Sequence, residues 1–211
     1  SAKNIQALTN GCYSFCLSCG SSSIVVKLNV LGRHNIANAL AASACGLAAG
    51  IQLEFIAKGL ALFAGEPGRL QLVQSQSGCT LIDDTYNANP GSVNAASDVL
   101  SALAGEKILV LGDMAELGDE AKHFHQQVGH YARDKGINAV FAIGNHCRET
   151  VTAFGDNAHF FSSMDRLIED LLAVVTPYTA VMVKGSRSSK MERVIQALKS
   201  NGDNNNASLA C

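Results

Sequence analysis

The sequence predicts an α/β protein built on a mostly parallel sheet, and three observations carry that prediction. Short β-rich runs end near Asp83, Leu111, Ile143, Phe161 and Val183. Amphipathic stretches at about 92–103, 119–135, 146–153, 164–174 and 189–199 lie between or after them. A Pro- and Gly-containing break, "AGEPGR" at 64–69, separates this regular region from a differently patterned one before it. Strands that alternate with helices imply a parallel sheet with helices on both faces.

Taken in order, residues 12–30 read as a β-hairpin: "CYSFCLSC" and "IVVKLNV" are rich in β-formers, and "GSSS" (20–23) is the turn. "RHNIANALAASACGLAAG" (33–50) then places Ile36, Leu40, Ala44 and Leu47 at helical spacing, with Gly50 as a stop. Its many alanines suit a helix packed closely against a neighbour. A second helix is expected over 53–63. After the break, "LQLVQSQSGCTLID" adds a hairpin through Ser75–Gly78 at the start of the sheet. The boundary between domains is placed at 70/71, and the polar end of the chain, 202–211, reads as a frayed tail.

The bulk numbers narrow the function classes. A chain of 211 residues with 47% apolar and 16% charged residues has the makings of a buried core, unlike a disordered segment. A net charge of −2 gives no electrostatic reason to expect nucleic acid or an anionic membrane. No apolar run approaches the ~18–20 residues that span a bilayer. Seven cysteines, scattered and odd in number, do not read as a disulfide framework, and a cytoplasmic location is expected.

In an open α/β sheet, ligands bind outside the carboxyl ends of the strands. The loops there are "DDTYNANPGS" (83–92), "GDMAELGDE" (112–120), "GNH" (144–146) and "KGSRSSK" (184–190). Asp83 and Asp84 could bind a metal, ribose hydroxyls or an amine, or one could simply hold a strand-end turn. Lys184, Ser186 and Arg187 lie between a strand and a helix, the setting of an anion site or of a Ser cap with solvated cations. Gly112 and Asp113 belong to a ligand loop or a tight turn. His34, Asn35 and Asn38 begin a helix; His34 or Asn35 could cap it, while Asn38, a poor helix former one turn in, could face a ligand.

Two patterns are set aside. Cys12, Cys16 and Cys19 have C-x3-C-x2-C spacing, but strand periodicity puts Cys19 on the opposite face, so partly buried, inert thiols are expected rather than an iron–sulfur cluster. His123, His125 and His130 share a helix without i, i+4 spacing and read as a solvated face. No G-x4-G-K-[ST] phosphate loop occurs.

"LGRHNIANALAA", "PGRL", "DDTYNANPGS", "VLGDMAELG" and "VKGSRSSKMERV" stand here in the order found in the Mur ligases, and over about 31–199 the chain resembles that family. The resemblance implies a Rossmann-like C-terminal domain over 71–211, preceded at 1–70 by the end of a central ATP-binding domain. Among family members it is similar to those adding D-alanyl-D-alanine to UDP-N-acetylmuramoyl-tripeptide in peptidoglycan precursor synthesis, through an acyl phosphate made from ATP.

By the same resemblance, Asn38 matches the asparagine that contacts adenine, supported by His34 and Asn35. Arg69 matches the arginine that reaches the ATP phosphates, and Asp84 the acid that holds the ribose. Tyr86, Asn87 and Asn89 would face the dipeptide, Lys184, Ser186 and Arg187 would receive its carboxylate, and Asp113 would lie at the amino-acceptor site. The implied cofactors are ATP and Mg²⁺. No metal ligand is assigned here, the phosphate loop and Mg²⁺ ligands being expected elsewhere in a longer, monomeric protein, and this chain is expected to be inactive alone. The alternatives are another Mur ligase, a folylpolyglutamate synthase-like enzyme, a non-catalytic nucleotide- or peptide-binding module, and a phosphoacceptor receiver domain using Asp83, Asp84 and Lys184.

Overall fold

The computed structural model describes residues 1–8 and 11–199, and the expected frayed tail lies outside them. The chain divides into two compact units, Ser1–Glu66 and the remainder from Pro67 onward.

The first unit holds three antiparallel strands in the order β1 (Ala2–Ala7), β2 (Tyr13–Cys19) and β3 (Ser22–Lys27), followed by α1 (Asn35–Ala48) and α2 (Leu53–Leu62). The hairpin expected at 12–30 is β2–β3, closed between Cys19 and Ser22. β1 was not expected. Its residues are almost all exposed, so burial leaves no alternation to read, and its register with β2 shifts between Lys3 and Gln6, where Asn4 adopts φ 52°. Phe15, Leu17, Val26 and Leu28 from the sheet side pack with Ile36, Ala39, Ile56 and Ala57 from the helices. Cys12 is buried, Cys16 partly buried and hydrogen-bonded to Ser23, and Cys19 exposed.

The second unit is the α/β layer structure that alternation implies. It comprises β4 (Gln71–Val73), β5 (Thr80–Asp84), α3 (Pro90–Ser101), β6 (Glu106–Gly112), α4 (Ala121–Asp134), β7 (Ala139–Ile143), α5 (Cys147–Phe154), β8 (Ala158–Phe161), α6 (Met164–Val174), β9 (Thr179–Lys184) and α7 (Glu192–Leu198). The sheet order is β4-β5-β9-β6-β7-β8, with β4 antiparallel at the edge and every other pairing parallel. Ile108, Val110, Val181 and Val183 face one side with Leu167 and Leu171 of α6 and Ile195 of α7. Their neighbours Leu109, Leu111 and Met182 point to the other face and are equally buried. Burial on both faces is why these strands read as nearly continuous apolar runs.

Helix starts differ from expectation where local chemistry intervenes. α3 begins at Pro90, not 92, because proline is pre-organised for the first helical position. Short 3₁₀ turns at Gly118–Glu120 and Arg187–Ser189 precede α4 and α7, and Lys190, at φ 50°, interrupts what sequence periodicity reads as one helix from 189.

α4 and α5 approach closely at Gly129. A Cβ there would lie 2.5 Å from the Thr150 carbonyl oxygen and 3.0 Å from the Ala153 Cβ. Gly129→Ala is expected to destabilise the protein by about 1–3 kcal/mol through overpacking, read from the urea midpoint. An unchanged midpoint would mean the helices separate freely.

Candidate active-site rim

Chain order and spatial order diverge at β9, which lies between β5 and β6 although it comes last. Such a switch opens a crevice at the carboxyl ends of the strands. The loops after β5, β6 and β9 meet there.

The parallel register sets Asp84 beside Lys184. Their side chains pair at 2.7 Å, with Lys184 only 2% and Asp84 8% exposed. The Lys184 ammonium also donates to the Asn87 carbonyl (2.8 Å), and Asp84 Oδ1 accepts from the Leu70 amide (3.2 Å). Burial pushes the Asp84 carboxyl up, while Lys184 and the Leu70 amide pull it down. Both side chains are turned inward, away from solvent. Each completes the other inside the fold. Asp83 makes the plain strand-end turn, its Oδ1 accepting from the Thr85 amide and hydroxyl.

Asn89 is likewise committed. It caps α3, accepting from the Ser92 amide at 2.8 Å, while Ser92 Oγ accepts from the Asn89 amide, a reciprocal capping box. Asn87 and Tyr86 remain exposed, and the Arg69 guanidinium stacks 4.2 Å from the centre of the Tyr86 ring. Two residues that the sequence assigned to different substrates therefore form one surface. Arg187 is exposed.

Ser186, 2% exposed, is a junction and not an open anion contact. Its hydroxyl donates to the Asp113 carbonyl and accepts from the Ala115 amide, both at 2.6 Å. The Ser186 amide and Ser189 hydroxyl donate to the same Asp113 carbonyl. Gly112 and Gly185 let the two loops meet: a Cβ on either would lie within 3 Å of Met191. The Asp113 side chain turns to α5, where Oδ1 accepts from the amides of His146 and Cys147 at 3.0 Å each. Asp113 thus caps the start of α5.

From the sequence, His125 read as part of a solvated helix face. It is fully buried, not solvated. Nε2 accepts from the Met114 amide (3.2 Å) and Nδ1 donates to the Ala121 carbonyl (2.8 Å), which fixes a neutral Nδ1–H tautomer. His125, Asp113 and Cys147 bring ligand-type atoms within 4.8 Å. Several of these groups are already engaged: the Nε2 lone pair by the Met114 amide, Asp113 Oδ1 by two amides, and the Cys147 thiol, its pKa raised by burial, as a donor to the Leu111 carbonyl. A mixed N, S, O set also differs from the all-oxygen shell that Mg²⁺ prefers. Among the described residues, no other group of three or more His, Cys, Asp or Glu brings its ligand atoms this close together.

In the first unit, Asn35 donates to the Leu31 carbonyl, and Asn38 donates to Asn35 Oδ1 at 2.8 Å. Both line a cavity of about 510 Å³ whose other walls, including Leu28, Val30, Phe55 and Phe63, are apolar. His34 stands at the α1 N-cap position without a side-chain cap bond.

Burial lowers the His125 pKa from 6.5. Below pH 6.5 the unfolded chain takes up a proton that the folded chain refuses. Stability should thus be full above pH 6.5 and fall as pH drops toward the depressed folded value, by up to ~1.4 kcal/mol per pH unit. His125→Gln should remove that component from urea stability measured across the window. An identical slope in the variant would assign it elsewhere.

The family profile "Mur ligase, glutamate ligase domain" matches residues 68–187, more than half of the chain. A relative from Escherichia coli K12, named UDP-N-acetylmuramoyl-tripeptide–D-alanyl-D-alanine ligase, is 42% identical over 202 residues, covering 95% of this chain and 44% of the relative. A relative of the same name from Bacillus subtilis is 37% identical over 180 residues, 80% of this chain and 38% of its own length. A crystal structure of MurF from Acinetobacter baumannii superposes with a TM-score of 0.84 at 33% identity, covering 92% of this chain and 43% of that one. The chain spans less than half the length of these relatives. It belongs to the Mur ligase family.

Proposed function

We propose that this chain is the acceptor-binding portion of an ATP-dependent amide ligase that joins D-alanyl-D-alanine to UDP-N-acetylmuramoyl-tripeptide. The observation that carries the reading is the 42% identity, over 95% of the chain, to a ligase of that name. The exposed groups on the rim suit acceptor binding. Arg187 offers a cation to the dipeptide carboxylate, and Asn87 and Tyr86 offer polar and aromatic contacts. Arg69, stacked on Tyr86, supplies a second cation for phosphate oxygens. The apolar cavity with Asn35 and Asn38 at its wall suits a flat, weakly polar ring such as adenine.

In the reaction, the tripeptide carboxylate attacks the γ-phosphorus of ATP, releasing ADP and giving an acyl phosphate. The dipeptide amine then adds to the acyl carbon; the tetrahedral intermediate loses phosphate and a proton, leaving the amide. Mg²⁺, when bound, would offset phosphate charge. This chain's share is positioning, which can lower such barriers substantially. Buried Lys184 and Asp84 shape the Asn87 loop, and Ser186 and Asp113 hold the Arg187 loop beside it. Soluble, cytoplasmic, monomeric action on these precursors is part of the same proposal; no described helix is long and apolar enough to cross a membrane.

The test is phosphate release and product mass from the whole reading frame containing this chain, given ATP, UDP-N-acetylmuramoyl-tripeptide and D-alanyl-D-alanine. Dipeptide-dependent release is expected, with none from the 211-residue chain alone. Arg187→Ala should raise KM for the dipeptide about tenfold, the ~1.4 kcal/mol of one charge-assisted contact, and leave kcat little changed. Release that requires a single amino acid instead of the dipeptide would favour another member of the family.

A further inference from the structure

One buried titratable group stands outside the proposed reaction. His125 lies on α4 yet holds the loop after β6, because the Met114 amide donates to its Nε2. That loop is joined to the loop carrying Arg187 through Ser186, which bonds the next amide, Ala115, and the Asp113 carbonyl. Three consecutive residues, Asp113, Met114 and Ala115, are therefore fixed from two sides.

We propose that His125 is a positioning residue, whose neutral ring locks the loop after β6 and through it the Arg187 loop, so that proton uptake by His125 loosens acceptor binding. The proposal rests on reading this rim as the acceptor site. The lock depends on a bare Nε2 lone pair. A proton placed there turns the acceptor into a donor facing another donor, the Met114 amide. Nδ1 cannot rescue the bond, because it already donates to Ala121.

The groups facing the ring are few. From the β6 loop, Asp113 Oδ1 lies 3.7 Å from Nε2, and its charge favours protonation. From α5 come the His146 ring, centred 5.5 Å away and opposing protonation, the Cys147 thiol, and Glu149, which favours it. Burial of the ring outweighs Asp113 and Glu149, and keeps the neutral form at physiological pH.

The test uses this 211-residue chain, with imidazole ¹⁵N shifts, amide exchange at Met114, and ¹H–¹⁵N titration with D-alanyl-D-alanine from about pH 7.5 downward, above the ordinary histidine range. In the wild type, His125 should show the Nδ1–H tautomer. As it titrates, Met114 exchange should rise at least tenfold relative to the intrinsic rate, and dipeptide Kd should weaken at least threefold. His125→Gln, whose Oε1 can accept from Met114 but does not titrate, should keep protection and affinity flat with pH. His125→Ala should lose Met114 protection at every pH, with affinity reduced to match.

An Nε2–H tautomer, Met114 exchange unaffected by titration, or a pH-dependent Kd that persists in His125→Gln would each overturn the proposal. So would Zn²⁺ shifting the His125 and Cys147 signals together at micromolar concentration, which would make the cluster a metal site. Absence of dipeptide binding by the wild type, with the tautomer and exchange results as expected, would overturn the acceptor-site coupling yet leave the loop lock standing. A ligase assay of the whole reading frame then separates that failure from failure of the proposed reaction.

Discussion

The Asp84–Lys184 ion pair is the interaction on which the rest of the rim depends. Two charges out of water are tolerated only when paired and further hydrogen-bonded. The Leu70 amide and Asn87 carbonyl supply those extra bonds. The same bonds tie the strand entering the sheet at residue 71 and the loop leaving β5 to the end of β9. The pair thus places the Arg69–Tyr86 stack and the Asn87 loop at a defined distance from the Arg187 loop. Conserving charge inside the rim leaves the outer surface to Arg69, Tyr86, Asn87 and Arg187, which is where a substrate can reach.

A second layer of constraint comes from single backbone groups shared among elements. The Asp113 carbonyl accepts from the Ser186 amide, the Ser186 hydroxyl and the Ser189 hydroxyl, while its carboxylate caps α5. One residue therefore relates β6, β9 and α5. His125 adds α4 through Met114. Asp84, Lys184, Asp113 and Ser186 all fasten the loops that carry the exposed residues. Family membership removes the receiver-domain reading of Asp83, Asp84 and Lys184, and the buried pairing gives a different physical role for two of those residues.

Much of the second unit was legible because its central strands are buried on both faces and its helices on one, so apolar runs and 3.6-residue periodicity report directly on packing. β1 was not legible: a mostly exposed edge strand carries no hydrophobic pattern. The rim loops were read from the rule that ligands sit at strand carboxyl ends, but the hydrogen-bond partners within them were not legible. That Asp84 faces Lys184 depends on β9 inserting beside β5, a pairing between strands far apart in the chain that no local spacing encodes. Asp113 caps α5 because β6 and β7 are neighbours. His125 looked solvated because its spacing from His123 and His130 says nothing of what covers that face. Asn89 was the exception: an asparagine before Pro90 with Ser92 beyond it is a capping signature in the sequence itself, though it was not read as one.

The most direct test of this account is a double-mutant cycle on the buried pair, with Asp84→Leu, Lys184→Met and both together, measured by urea unfolding. Removing one partner strands the other charge, so each single change should cost about 3–5 kcal/mol. The double variant, with no charge left to bury, should be more stable than either single one. Additive losses, or singles costing under about 1 kcal/mol as exposed pairs do, would show that the pair does not hold the rim and would contradict the account.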